Sequence, residues 1–144
     1  MYYPEGSRNF NEVTVGMSGE TRARTMTETL VTLYSGLVGD YHPMHADKKA
    51  AEVTGGRAVQ GKLVLSIADY MQRADCPFEG VGYGFETVRF THPVTIGDTI
   101  MVEWEVTDKR ELTEESGRYT IHQEVCNQND EIVAVYDTVR TLGR

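Results

Sequence analysis

Cysteine is scarce in this chain: there are two, Cys76 and Cys126, with no CxxC pair and no Cys/His spacing of the zinc-finger kind. That excludes a disulfide-stapled scaffold and leaves both thiols to be read as small buried hydrophobes. Long apolar runs are missing too, since no stretch approaches the roughly 20 residues that a bilayer-spanning helix needs. The opening MYYPEGSRNFNE lacks the basic-then-apolar profile of a secretory signal, so a cytoplasmic protein with no membrane partner is expected. Positive charge is in deficit. Fourteen Lys and Arg stand against 22 Asp and Glu, a formal net charge of −8, which repels a phosphate backbone and argues against nucleic acid as a partner. Internal repeats, low-complexity tracts and linkers are absent as well. With 40% hydrophobic and 25% charged residues, usage is that of an ordinary globular protein, and residues 1–144 are expected to form a single domain.

What is present falls into a helical first half and a strand-rich second half. Glu20 to Met26 (ETRARTM) alternates like an edge strand. From Thr27 the period changes: Leu30, Leu33, Tyr34, Leu37 and Val38 make an amphipathic helix, with Thr27 as N-cap and Gly39 as its end. Asp40 to Ala46 (DYHPMHA) reads as a loop, because Pro43 opposes a helix there. Asp47 caps a second short helix, Lys48 to Val53, closed by Gly55 and Gly56. A third, Lys62 to Gln72 or Arg73, is apolar except for a stripe at Lys62, Ser66, Asp69 and Arg73, so it should be wrapped by other structure. Strands are expected at Val81–Phe90, with a bulge near Glu86 and Thr87, at Ile100–Thr107, Tyr119–Cys126 and Glu131–Thr141. Helices followed by four strands predict an α+β fold in which one buried helix lies against an antiparallel sheet.

The densest reactive cluster is Asp40, His42, His45 and Asp47, which holds two of the chain's four histidines in eight residues. A solvated loop is the plain alternative. Against it, a carboxylate and an imidazole five residues apart across a rigid proline can converge on one water molecule, and His carries protons near neutral pH. The same four groups could also chelate a divalent metal.

The stretch Tyr34 to Asp47 (YSGLVGDYHPMHAD) resembles the hydratase motif of the MaoC-like dehydratases, the (R)-specific enoyl-CoA hydratases, whose pattern is G-D-x-N-P-[apolar]-H. The likeness continues through Ala50-Ala51, a glycine pair, Ala58-Val59-Gln60-Gly61, Tyr83-Gly84-Phe85, Val88-Arg89-Phe90, Pro93-Val94 and Gly97-Asp98-Thr99, covering about residues 20 to 110. It implies a hotdog fold, a long helix wrapped by an antiparallel sheet, usually paired into a homodimer or higher homo-oligomer with active sites near the subunit interface. It implies reversible hydration of an enoyl thioester of coenzyme A or acyl carrier protein to a (3R)-hydroxyacyl product, with no cofactor and no metal. Residue by residue, Asp40 and His45 match the catalytic pair that holds and activates water. Gly61 matches the glycine whose N–H meets the thioester oxygen. His42 stands where the family has asparagine, and Gln60 where many members carry histidine, so both are supporting positions and point to a specialised substrate.

Adding water to an enoyl thioester builds negative charge on the carbonyl oxygen, and a fixed N–H opening a helix is placed to stabilise it. Lys48, Lys49, Arg57 and Lys62 face only Glu52 in their window, a basic island that could meet the phosphates of coenzyme A or phosphopantetheine. A solvated helix face is the plainer reading of that island. Three competing functions remain. Asp69 on the central helix could activate water for thioester hydrolysis, although Asp69 and Arg73 also read as an ordinary i, i+4 surface pair. The domain could bind acyl thioesters as an inactive partner subunit, or the loop could hold a metal. Tyr83 and Arg89 are candidates to line an acyl pocket, but read more plainly as strand residues; His92 and His122 read as structural.

Overall fold

One long helix and the sheet around it organise the molecule, as its uneven burial requires. The structure is a computed structural model and describes residues 9–78 and 80–144; the reading of the first eight residues lies outside them. Six antiparallel strands, β1 (Ser18–Glu20), β2 (Arg24–Thr25), β3 (Val81–Phe90), β4 (Thr99–Thr113), β5 (Ser116–Cys126) and β6 (Ile132–Gly143), form a sheet ordered β1-β4-β5-β6-β3, with β2 also paired to β4. The expected strand at residues 20–26 is therefore two short pieces. Between them Thr21 leaves the ladder and binds Val102 through both its N–H and its hydroxyl (2.9 and 3.1 Å). The bulge on β3 is present, as a register shift between Glu86 and Arg89 with Thr87 at φ 50°.

Helix α1 spans Glu28–Val38. The Thr27 hydroxyl accepts the Leu30 N–H, and Gly39 ends the helix at φ 77° with its N–H returned to the Ser35 carbonyl. Its buried face matches the expected one in part: Leu30 and Tyr34 pack against the core beside the buried Val31 and Ser35, while Leu33 and Leu37 are 66% and 83% exposed. Ser35 is drawn inward because the buried Gln60 amide donates to its hydroxyl at 2.9 Å. The loop with Pro43 corrects another expectation. It contains helix α2, Pro43–Ala46, and the proline occupies the first turn, where its missing N–H has no acceptor to lose. Asp47 caps the next segment, accepting from the Lys49 and Ala50 N–H groups, but that segment is a 3-10 turn at Ala50–Thr54.

Helix α3, Gly61–Asp75, buries Leu63, Val64 and Ala68 against Ile100, Val102, Val125, Val133, Ala134 and Tyr136. Each fully buried aliphatic side chain of this kind contributes roughly 1.5–3 kcal/mol. The wrapping is one-sided, since Ser66 lies exposed and Tyr70 is 71% exposed on the far side. Asp69 is not on the surface. It is 3% exposed and bonds both to Arg73 Nε (2.9 Å) and to Nη2 of the fully buried Arg140 (2.8 Å). Helical spacing could reveal the first partner but not the second, 71 residues away on β6.

Candidate active site

The left-handed Gly39 turns the chain out of α1 into Asp40, whose Oδ1 accepts the His42 N–H (3.3 Å). His42 Nδ1 in turn accepts the Met44 N–H (3.3 Å), so His42 is the N-cap of α2. An asparagine oxygen makes the same kind of cap, which explains how an imidazole is accommodated there. The cap also fixes its tautomer, with Nδ1 as acceptor.

His45 is fixed from the opposite side. Its Nδ1 lies 2.7 Å from the Ala58 carbonyl, which can only accept, so Nδ1 donates there and Nε2 is the ring nitrogen left for the cleft. That Nε2 faces Asp40 Oδ2 at 3.8 Å, too far for a direct hydrogen bond and close enough for one water to touch both. The segment supporting this arrangement is zipped to α2 by the Ala58 N–H on the Met44 carbonyl (2.9 Å) and by Arg57 Nε on the His45 carbonyl (2.7 Å). Val59 continues it by donating to the Val94 carbonyl (2.7 Å), and Gln60 then caps α3.

Gly61 is the first residue of α3, where N–H groups have no intrahelical acceptor. A Cβ there would lie 3.0 Å from the Phe90 ring, so a larger residue would need that half-exposed ring to shift. A cleft of about 530 Å³ is lined by Tyr34, Val38, Gly39, Asp40, His45, Gln60, Gly61, Lys62 and Phe90. It therefore unites Asp40, His45, Gln60, Gly61 and Lys62. His42 supports it from the loop, and Lys48 and Lys49 are exposed and outside its lining. Arg57 is engaged elsewhere, by Glu28 and the His45 carbonyl. Asp47 and His42 are occupied as caps, and among the described residues no three His, Cys, Asp or Glu side chains converge as a ligand set.

Sequence reasoning gave no role to Tyr34, Ser35, Ala58 or Phe90. Ala58 acts through its carbonyl, which no residue type advertises. Tyr83 and Arg89 do not line the cleft: the Arg118 guanidinium covers the Tyr83 ring at 3.5 Å, and Arg89 is exposed. His122 bridges Asp137 and Glu124; burial lowers its pKa, but those carboxylates outweigh burial and raise it.

With the geometry in place, the architecture defines the class, a hotdog protein. A Mycobacterium tuberculosis protein described as having a double hotdog fold aligns over 96% of this chain and 44% of its own at a TM-score of 0.86 and 19% identity, a likeness of fold alone. A solved Archaeoglobus protein described as a monoamine oxidase regulatory protein aligns over 95% of both chains, at 0.86 and 34% identity. The family model described as "MaoC like domain" matches residues 10–129, and the chain belongs to that family.

Among curated relatives, Protein MaoC of Klebsiella aerogenes is 38% identical over 65% of this chain and 29% of its own length. A mitochondrial 3-hydroxyacyl-[acyl-carrier-protein] dehydratase of Solanum lycopersicum is 34% identical over 63% and 55%. An (R)-specific enoyl-CoA hydratase of Rhodospirillum rubrum is 29% identical over 68% and 69%. The chain thus spans well under two thirds of the first two relatives. Among the described residues no helix is long and apolar enough to cross a membrane.

Proposed function

We propose that the protein is a hydro-lyase that reversibly adds water to the 2,3 double bond of an enoyl thioester, carried on coenzyme A or acyl carrier protein, giving a (3R)-hydroxyacyl thioester without a cofactor. One observation carries the reading: His45 Nε2, on the ring edge away from the Ala58 carbonyl, faces the Asp40 carboxylate at 3.8 Å, where one water can touch both, in the same cleft as the Gly61 amide. His45 takes a proton from the water as its oxygen bonds to C3. The electron pair of the double bond moves toward the carbonyl oxygen, where the Gly61 N–H and the positive end of α3 stabilise it. The proton taken from the water is returned by the His45–Asp40 pair to C2, so the atoms balance with no co-reactant.

Lys62 in the cleft, with the exposed Lys48 and Lys49 of the same half of the chain, is suited to the phosphates of the carrier. A homodimer fits the exposed apolar side chains of the protomer, with Leu33 and Leu37 on α1, Tyr70 on α3, and Phe85 and Phe90 on the unpaired edge strand β3. Thioester hydrolysis through Asp69 is disfavoured because that carboxylate is buried and taken up by Arg73, Arg140 and Thr138.

Following the loss of conjugated-thioester absorbance with crotonyl-CoA tests the reading. Hydration that disappears in Asp40→Asn supports it; binding without turnover would make the protein an acyl-thioester binder, and release of free thiol a thioesterase.

A further inference from the structure

The groups that meet in the cleft come from separate places in the chain, and each needs its own support. His45 is set by the Ala58 carbonyl, and the Gly61 amide by its place at the start of α3. Asp40 has neither kind of tether. Among the described residues its carboxylate accepts one hydrogen bond, from the His42 N–H of the same loop. Such a bond shapes the turn without tying it to the rest of the molecule, so the place of Asp40 against His45 depends on where α1 ends.

That end has little apolar anchorage. Of residues 32–38, Thr32, Leu33, Gly36, Leu37 and Val38 are exposed, Tyr34 is half-buried and only Ser35 is buried. The Ser35 carbonyl accepts the Gly39 N–H at 2.8 Å, which closes the left-handed turn into Asp40. Its hydroxyl accepts from Gln60 Nε2 at 2.9 Å, and among the described residues this is the one side-chain hydrogen bond that residues 32–38 make. Gln60 is itself firmly held. It is 2% exposed, it precedes Gly61, and its carbonyl accepts the Leu63 and Val64 N–H groups that open α3, both at 3.0 Å. A path of covalent and hydrogen bonds thus runs from Gly61 through Gln60, Ser35 and Gly39 to Asp40. Stability alone gives no reason for an amide at this point, because Gln60 Oε1 is buried and among the described residues has no hydrogen-bond partner. An unmet buried oxygen carries a desolvation cost comparable to the gain from the bond at the other end of the amide, whereas an apolar side chain of the same shape incurs none.

We infer that Gln60 and Ser35 are a positioning pair, whose hydrogen bond holds the end of α1 so that one water reaches both Asp40 and His45 Nε2. This rests on the hydratase reading above and gives neither side chain a contact with the reacting atoms. The test follows hydration of crotonyl-CoA and oct-2-enoyl-CoA by the full chain, by Ser35→Ala, by Gln60→Met and by the double variant. Misplacing a catalytic group by about 1 Å costs on the order of a hundredfold, so each single variant should lower kcat by roughly ten- to a hundredfold, with KM and the thermal unfolding midpoint little changed. The double variant should be no slower than the slower single one, since both remove the same bond. Made on Asp40→Asn, the same changes should have almost no further effect, because the pair acts through that carboxylate. Full kcat in both single variants, a loss that appears in KM instead, or an undiminished loss on Asp40→Asn would each overturn the inference and leave the hydratase reading standing. If Gln60→Met does not fold, Ser35→Ala, which removes a single oxygen, decides. A wild type that hydrates neither thioester would defeat both.

Discussion

Two polar clusters flank the same helix and are held in opposite ways. At the start of α3, Asp40, His42 and His45 lie partly or fully open to solvent and are steered by backbone groups: the His42 and Met44 amides and the Ala58 carbonyl. Beneath its middle, Asp69, Thr138, Gln123, Tyr136 and Arg140 are buried and are steered by one another. Backbone tethers leave one side of each ring or carboxylate free for water. Mutual side-chain pairing consumes those sides and exchanges reactivity for a fixed charge pattern. The first arrangement suits proton transfer; the second suits stability.

Removing the open cluster should cost activity and little stability. Asp40→Asn and His45→Ala should each lower the hydration rate by about a hundred- to ten-thousand-fold with near-unchanged thermal unfolding; full activity in either variant would sink the assignment. Gly61→Ala should push the Phe90 ring off the helix start and slow turnover by on the order of a hundredfold, and pairing it with Phe90→Ala should recover part of the loss.

The buried cluster should respond the other way round. Asp69→Ala leaves Arg140 uncompensated and should lower unfolding free energy by about 3–5 kcal/mol in a urea titration. Because the folded-state pKa of Asp69 is depressed, its ionic contribution is present above the ordinary carboxylate value and fades as the pH falls through the lower folded value; the stability gap between wild type and Asp69→Asn should narrow in that direction. A smaller effect distinguishes the caps. His42→Ala should cost about 0.5–2 kcal/mol, and His42→Asn should restore most of it.

What could be read from the chain alone depended on how local its cause was. The cap at Thr27, the left-handed Gly39 and the β3 bulge each arise from a few neighbouring residues, and the structure has all three. Asp40, His45 and Gly61 were legible as a set through their spaced motif and meet in one cleft. Pro43 misleads because a proline that stops a helix from within also starts one from its first turn. Leu33 and Leu37 are spaced as core residues should be, but Val31 and the Gln60-bonded Ser35 take the inward positions. Arg140 could not be foreseen as the partner of Asp69, since only the folded sheet brings β6 beneath α3.

The span from Ala58 to Gly61 carries a consequence for how the site can change. In the proposed reaction Ala58 sets the base and Gly61 supplies the amide, and three peptide units join them, a reach of at most roughly 11 Å at full extension. Proton acceptor and oxyanion donor are thus spaced by covalent length, like two jaws on a single short handle. Mutations elsewhere can reshape the cleft without altering that spacing, whereas inserting one residue into the handle should abolish the proposed hydration with every reactive group still in place.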